Sequence, residues 1–319
     1  MTILNAGTSA AEFPGTYNTN STGANLPFGV SEGIILTSDP MTIYSGGAVS
    51  EIWVSFTVNR SSQIPRDLVV FSNNGNPVLA LRQLDASGGR LQFRYWDGSS
   101  WVPIDTDCQF PAQRQRVDIR FKIDELAGSV DLWINKVYQI GAQGINTIYD
   151  GVTGVDSVEI GTIGSSTVAT AIIVADEDTR PLQYVQLLPS GAGELTEWTG
   201  EASTVSGSTG YSDSTFMSTD LADQKQTFAL PNLPSNYDTG WTVEAVFATA
   251  RARKDLATSS ELRVMARSGT DEAFGDQVAL TTLETPYNHQ FTVDPATAAP
   301  WTIAGVNAVE VGVQSRAPT

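Results

Sequence analysis

The chain is predicted to be all-β and to form two domains of β-sandwich or barrel type. Three observations predict this. Apolar and polar residues alternate with period 2 along one segment after another, while helical periodicity is nearly absent. Turn-forming residues punctuate those segments at intervals of about 8–12 residues, the spacing of sandwiches and barrels. Charged residues are only 17 % of the chain, with Ser, Thr, Gly, Asn and Ala in their place. A length of 319 residues suits two domains, each able to bury its own core.

In chain order, residues 51–58 and 77–82 read as strands. Residues 94–104 read as two arms around Asp97-Gly98, with Tyr95-Trp96 on one arm and Trp101-Val102 on the other. Glycine accepts the positive φ that such a tight turn needs. The clearest alternation follows. Val117, Ile119, Phe121 and Ile123 are apolar, while Asp118, Arg120, Lys122 and Asp124 are charged, so a one-residue slip would bury four charges. Residues 129–135 return as the second arm of a hairpin across Leu126-Ala127-Gly128. Residues 157–160 and 170–174 close the first strand-rich region.

The turn-prone acidic run Asp176-Glu177-Asp178 precedes Arg180-Pro181 and marks a boundary, giving domains 1–180 and 181–319. Residues 183–188 read as a strand, and residues 200–211, small and polar, as a long loop or mobile segment. Strands resume at 226–230, 241–247, 261–266, 289–293 and 309–313.

Composition narrows the function. Against 18 basic residues stand 35 acidic ones, a net charge of −17. Up to Arg180 there are 11 basic and 19 acidic residues, and after it 7 and 16, so the acidity is spread evenly. Phosphate binding needs clustered Lys and Arg, which excludes nucleic acid and anionic membranes as partners. One cysteine and one histidine leave no disulfide framework and no Cys- or His-rich metal centre. No apolar run is long enough to span a membrane, so no membrane insertion is expected. Met1-Thr2-Ile3-Leu4-Asn5 lacks the basic start and apolar stretch of a signal peptide, so folding in a cytoplasm is expected.

Residues 53–56, 91–101 and 130–135 together resemble the concanavalin A-like, laminin-G-like jelly-roll family. The resemblance spans about the first 170 residues and implies such a jelly roll, with a smaller β-sandwich after it. Residues 184–193 with Glu197-Trp198-Thr199, then 248–254, 264–269, 294–302 and 306–313, resemble a C-terminal module of tailed-bacteriophage structural proteins. Members of that family carry an acidic, aromatic segment where this chain has residues 169–174. The joint resemblance implies a non-enzymatic structural protein on the virion exterior, made in the host cytoplasm. A head fibre or decoration, or a tail-associated accessory protein, fits that description. The implied partners are other virion proteins, further copies of this chain as a homo-oligomer, and host surface glycans.

Four chemistries bear on these residues. Glycoside hydrolysis needs two carboxylates flanking the scissile bond. The spacing of Asp156 and Glu159 puts them on opposite strand faces, and Asp124, Glu125 and Asp131 read as wet-face charges of the hairpin. His289 has no Gly-x-Ser-x-Gly elbow to serve, and Cys108 lies beside carboxylates that blunt a thiolate. Sugar binding is the stronger alternative: Trp96 and Trp101 can stack on sugar rings and Asp97 can add hydrogen bonds. Cross-strand packing of the two indoles accounts for the same residues without a ligand. No cofactor is expected. For Ca2+, the pairs Asp105/Asp107 and Asp176/Asp178 would converge only if their loops curl.

Overall fold

The computed structural model describes residues 2–7, 20–21, 33–35, 40–59, 65–84, 89–110, 114–148, 151–161, 168–205, 215–237, 240–255 and 260–318. The fold is all-β and antiparallel throughout, and it divides into two compact units, Met1–Tyr184 and Val185–Thr319.

In the first unit the strands are β1 (Ile3–Gly7), β2 (Asn20–Ser21), β3 (Gly33–Ile35), β4 (Met41–Val49), β5 (Glu51–Asn59), β6 (Arg66–Asn73) and β7 (Asn76–Gln83). They continue as β8 (Arg90–Trp96), β9 (Trp101–Gln109), β10 (Arg114–Lys122), β11 (Gly128–Ile134), β12 (Val137–Ile145), β13 (Val155–Ile160) and β14 (Val168–Ala175). One sheet runs β12-β11-β10-β5-β14-β3-β2, with β1 also on β14, and the other runs β4-β13-β6-β7-β8-β9. The alternation explains the layering. Val54, Phe56, Ile119, Phe121 and Leu132 of the first sheet are buried against Phe71, Leu79, Leu81, Phe93 and Val158 of the second. Phe71 meets Phe121 edge-on across the interface, with ring centres 5.6 Å apart.

The hairpin of β10 and β11 pairs Asp118 with Trp133 and Arg120 with Asp131. Its turn is held by the Asp124 carboxylate, which accepts the N–H groups of Leu126 and Ala127. Between β11 and β12, Asn135 and Lys136 both take positive φ, 51° and 66°, the geometry of a tight type I′ hairpin turn.

One expectation fails here. The charged side of β10 and β11 is wet only in part: Glu125 is exposed and Arg120, Lys122 and Asp124 are partly so, but Asp118 and Asp131 are fully buried, beside the buried Trp53 and Trp133 on the same face. The cover is the segment after β14, a strap over residues 176–182. Arg116 donates to the carbonyls of Thr179 and Leu182, each at 2.6 Å, and grips the Asp118 carboxylate with Nε and Nη2. The Arg180 guanidinium lies 4.3 Å from the centre of the Trp133 ring, which stacks on Trp53 at 5.2 Å. Two-residue alternation reports which side chains share a face and says nothing of what a distant segment lays over it.

Residues 183–188 are also not a strand. They join no sheet ladder, and Pro181 and Pro189, on either side, each lack the N–H that pairing needs.

The second unit holds β15 (Gly191–Thr196), β16 (Lys225–Ala229), β17 (Val246–Ala252), β18 (Glu261–Ser268), β19 (Asp271–Phe274), β20 (Val278–Ala279) and β21 (Thr285–Phe291). Then come β22 (Val293–Asp294), β23 (Ala299–Pro300), the helix α1 (Ile303–Ala308) and β24 (Val309–Arg316). The main sheet runs β15-β16-β24-β18-β19, with β20 also on β18, and β17 pairs with β21 as a separate ribbon. Ala248 and Phe291 of the ribbon share a core with Val264, Ala266 and Val309 of the sheet, joined by Trp301 and Val306. The strand read over 241–247 begins only at Val246. Residues 206–211 of the small polar stretch lie outside the described residues; before them a 3-10 turn covers Ala202–Thr204.

Candidate functional site

Strands β8 and β9 bring Trp96 and Trp101 directly opposite each other, edge to face, with ring centres 5.5 Å apart and planes at 73°. Both indoles are half-buried. Asp97 faces back into the turn. Its Oδ1 accepts the N–H of Ser100 at 2.7 Å, the N–H of Ser99 at 2.8 Å and the Ser99 hydroxyl at 2.9 Å. Oδ2 accepts the Ser100 hydroxyl at 3.2 Å. These donors, led by the backbone N–H groups of Ser100 and Ser99, lower the Asp97 carboxyl to about 2. The structure thus brings the two predicted tryptophans together and uses the predicted aspartate to shape their turn.

The same outer face carries residues that the reading by motif passed over. Gln92, Arg94 and Trp96 alternate along β8; Arg82 stands opposite Gln92, and Asp67 opposite Arg82. The Arg94 guanidinium lies 4.2 Å from the Trp101 ring centre and forms an ion pair with Asp67. Arg82 Nη1 stands 3.6 Å from Asp67 Oδ1, outside hydrogen-bond range. Burial lowers the Arg94 guanidinium from its ordinary value, against the pull of Asp67. Two cations therefore share one carboxylate beside the indoles. The alternation Arg90, Gln92, Arg94, Trp96 was the sequence signal for this strip.

The other candidate carboxylates are engaged within the fold. Asp131 Oδ1 accepts from Gln143 at 3.1 Å, and Asp156 Oδ2 accepts the N–H of Asn74 at 2.8 Å. Of the pairs considered for Ca2+, Asp107 binds Arg90 at 2.9 Å, Asp178 forks onto Arg180, and Asp176 accepts the N–H of Thr2 at 2.6 Å. The Asp105 side chain lies outside the described residues. Among the described residues, no group of three or more His, Cys, Asp or Glu side chains is placed to hold a metal ion. Burial, and then Asp107, pushes the Cys108 thiol up to about 11. His289 sits in β21 opposite Ala248, its ring 4.8 Å from that of Phe291. Among the described residues, no helix is long and apolar enough to cross a membrane.

This geometry defines an antiparallel β-sandwich with an aromatic and cationic strip on one outer face. Solved structures with a similar fold include an endo-β-1,4-glucuronan lyase from the fungus Trichoderma reesei. It is 12 % identical, with 54 % of this chain and 94 % of that one covered and a TM-score of 0.40. The globular domain of T. cruzi calreticulin is 11 % identical, covering 56 % and 90 % at a TM-score of 0.38. A carbohydrate-binding module of Ruminococcus gnavus IT-sialidase, bound to α2,6-sialyllactose, is 17 % identical, covering 46 % and 91 % at 0.30. No protein-family model matches the chain, and no curated protein sequence does.

Proposed function

We propose that this chain is a non-enzymatic structural component of a tailed-phage virion exterior, either a head fibre or decoration or a tail-associated accessory protein. The observation carrying this reading is that the segments resembling phage structural proteins are framework segments of one compact unit. Trp198 Nε1 donates to the Gln224 carbonyl at 3.1 Å, and Arg267 pairs with Glu310 at 3.3 Å. Trp301 Nε1 donates to the Phe291 carbonyl at 2.8 Å, and Asn307 Oδ1 accepts the N–H of Leu233 at 2.8 Å. What resembles those proteins is thus the part that makes the second unit fold, which suits a module used for assembly. Of the carboxylates considered for hydrolysis, Asp124, Asp131 and Asp156 are meanwhile engaged within the fold. Quantitative mass spectrometry of purified particles encoded beside this gene tests the reading. A fixed copy number per particle is expected, and particles without the chain overturn it. Release of reducing ends or of unsaturated uronic products from any glycan overturns the non-enzymatic part.

A second reading, carbohydrate binding by the first unit, is favoured by the strip of Trp96, Trp101 and Arg94. The two readings are compatible, since many weakly binding copies on one particle gain avidity.

A further inference from the structure

The strip beside the Trp96–Trp101 turn has a charge chemistry that the aromatic pair alone does not explain. Asp67 is the one carboxylate that pairs with both Arg82 and Arg94 among the described residues. Arg94 hydrogen-bonds to it through Oδ2 alone, and its side chain is 13 % exposed between Asp67 and the Trp101 face; Asp67 Oδ1 accepts no hydrogen bond among the described residues. Arg82 does not hydrogen-bond to it. Its side chain is 33 % exposed, it stands 3.6 Å from an Asp67 oxygen, and none of its guanidinium N–H groups finds a hydrogen-bond acceptor among the described residues. A guanidinium is a planar fork matched to a carboxylate, and among the described residues this fork is left open next to a second, half-buried positive charge.

The overall charge of −17 does not cancel this, because at physiological salt a charge farther than about 8 Å away is largely screened. From Gln92 to Trp96 the strip runs about 13 Å along β8 at ordinary strand rise, enough for two or three sugar rings. One end offers indole surface for a ring and the other an unfilled guanidinium for an acid group.

We propose that the outer face of β6–β9 binds an acidic oligosaccharide, a glycan whose sugar rings carry carboxylates. Arg82 takes a carboxylate in its fork, Arg94 adds fixed positive charge, and Trp96 and Trp101 receive a neighbouring ring. This rests on the second reading above and adds the ligand class to it.

Calorimetry on the full chain with two matched probe pairs tests the assignment: β-1,4-linked tetraglucuronate against cellotetraose, and sialyllactose against lactose. The first pair differs only by its carboxylates and decides the selectivity; the second differs by a whole acidic sugar ring and extends the test to another acid geometry. The expected result is binding of at least one acidic probe, with its neutral partner about tenfold or more weaker. Arg82→Gln, at a side chain with no hydrogen bond to lose among the described residues, should lower that affinity by a similar factor with an unchanged thermal transition. Arg82→Lys should fall between the two. Equal binding of acid and neutral probes, lost in Trp96→Ala, overturns the acid selectivity and leaves sugar binding standing. Acidic binding untouched by Arg82→Gln moves the site elsewhere and overturns the assignment. No binding of any probe overturns it too, and a blank neutral glycan panel would then remove the sugar-binding reading as well.

Discussion

Arg116→Ala isolates the strap that covers the first sheet. Asp118 is fully buried, and its carboxylate is held by Nε and Nη2 of Arg116, whose own side chain is 17 % exposed. The same guanidinium holds the carbonyls of Thr179 and Leu182. Removing one partner of a buried pair strands the other charge, at about 3–5 kcal/mol. In a unit of this size each kcal/mol moves the midpoint by about 2–4 °C, so a fall of about 6–20 °C is expected. Calorimetry on the full chain should show it in the transition of Met1–Tyr184 alone. Amide exchange should rise across residues 176–182 in the same variant. Arg116→Met with Asp118→Asn removes both charges and should recover part of the loss. A shift of about 1 kcal/mol or less for Arg116→Ala would refute the reasoning, since a clamp of that strength is not needed to keep Asp118 dry.

Three more outcomes are expected. The Asp97 carboxyl should titrate near 2, so its support of the turn is complete above the ordinary carboxylate range near 4 and is lost as pH falls through 2. Carbon-detected NMR gives the midpoint, and an ordinary value would show that the Ser99 and Ser100 donors are not made in solution. Cys108, with its thiol raised to about 11, should resist iodoacetamide at about pH 8 until the protein unfolds. Fast labelling of the native chain contradicts that. Gly312→Ala would set a methyl 2.0 Å from the Gln226 carbonyl oxygen. It should destabilise the second unit by about 1–3 kcal/mol while the transition of the first stays in place.

Much of the fold was legible because period 2 is a local signal. Val117 to Lys122 lie in β10 and residues 129–134 in β11, with the turn between them as read. The solvent side of that hairpin was not legible, because its cover arrives some sixty residues later: Thr179 and Leu182 stand 63 and 66 positions from Arg116. Helix α1 is six residues long, too short for any periodicity, and its one local sign is Thr302, whose hydroxyl accepts the N–H of Gly305. At the candidate site, the pairing of Trp96 with Trp101 followed from the Asp97-Gly98 turn. The Arg82–Asp67–Arg94 strip did not, since it depends on which strands neighbour one another, and Asp67 lies 27 positions from Arg94.

The strap also decides how this chain would carry a mechanical load. A pull on the chain beyond Leu182 does not reach β14 first. It meets Arg116 on β10, then the Arg180 guanidinium lying over Trp133 of β11, then Asp176 tied to Thr2 beside β1. Tension is handed to three strands at separate points instead of unzipping one strand from its neighbour, one ladder bond at a time. In a sandwich anchored in this way the first tie a pull meets is the half-buried Arg116 guanidinium.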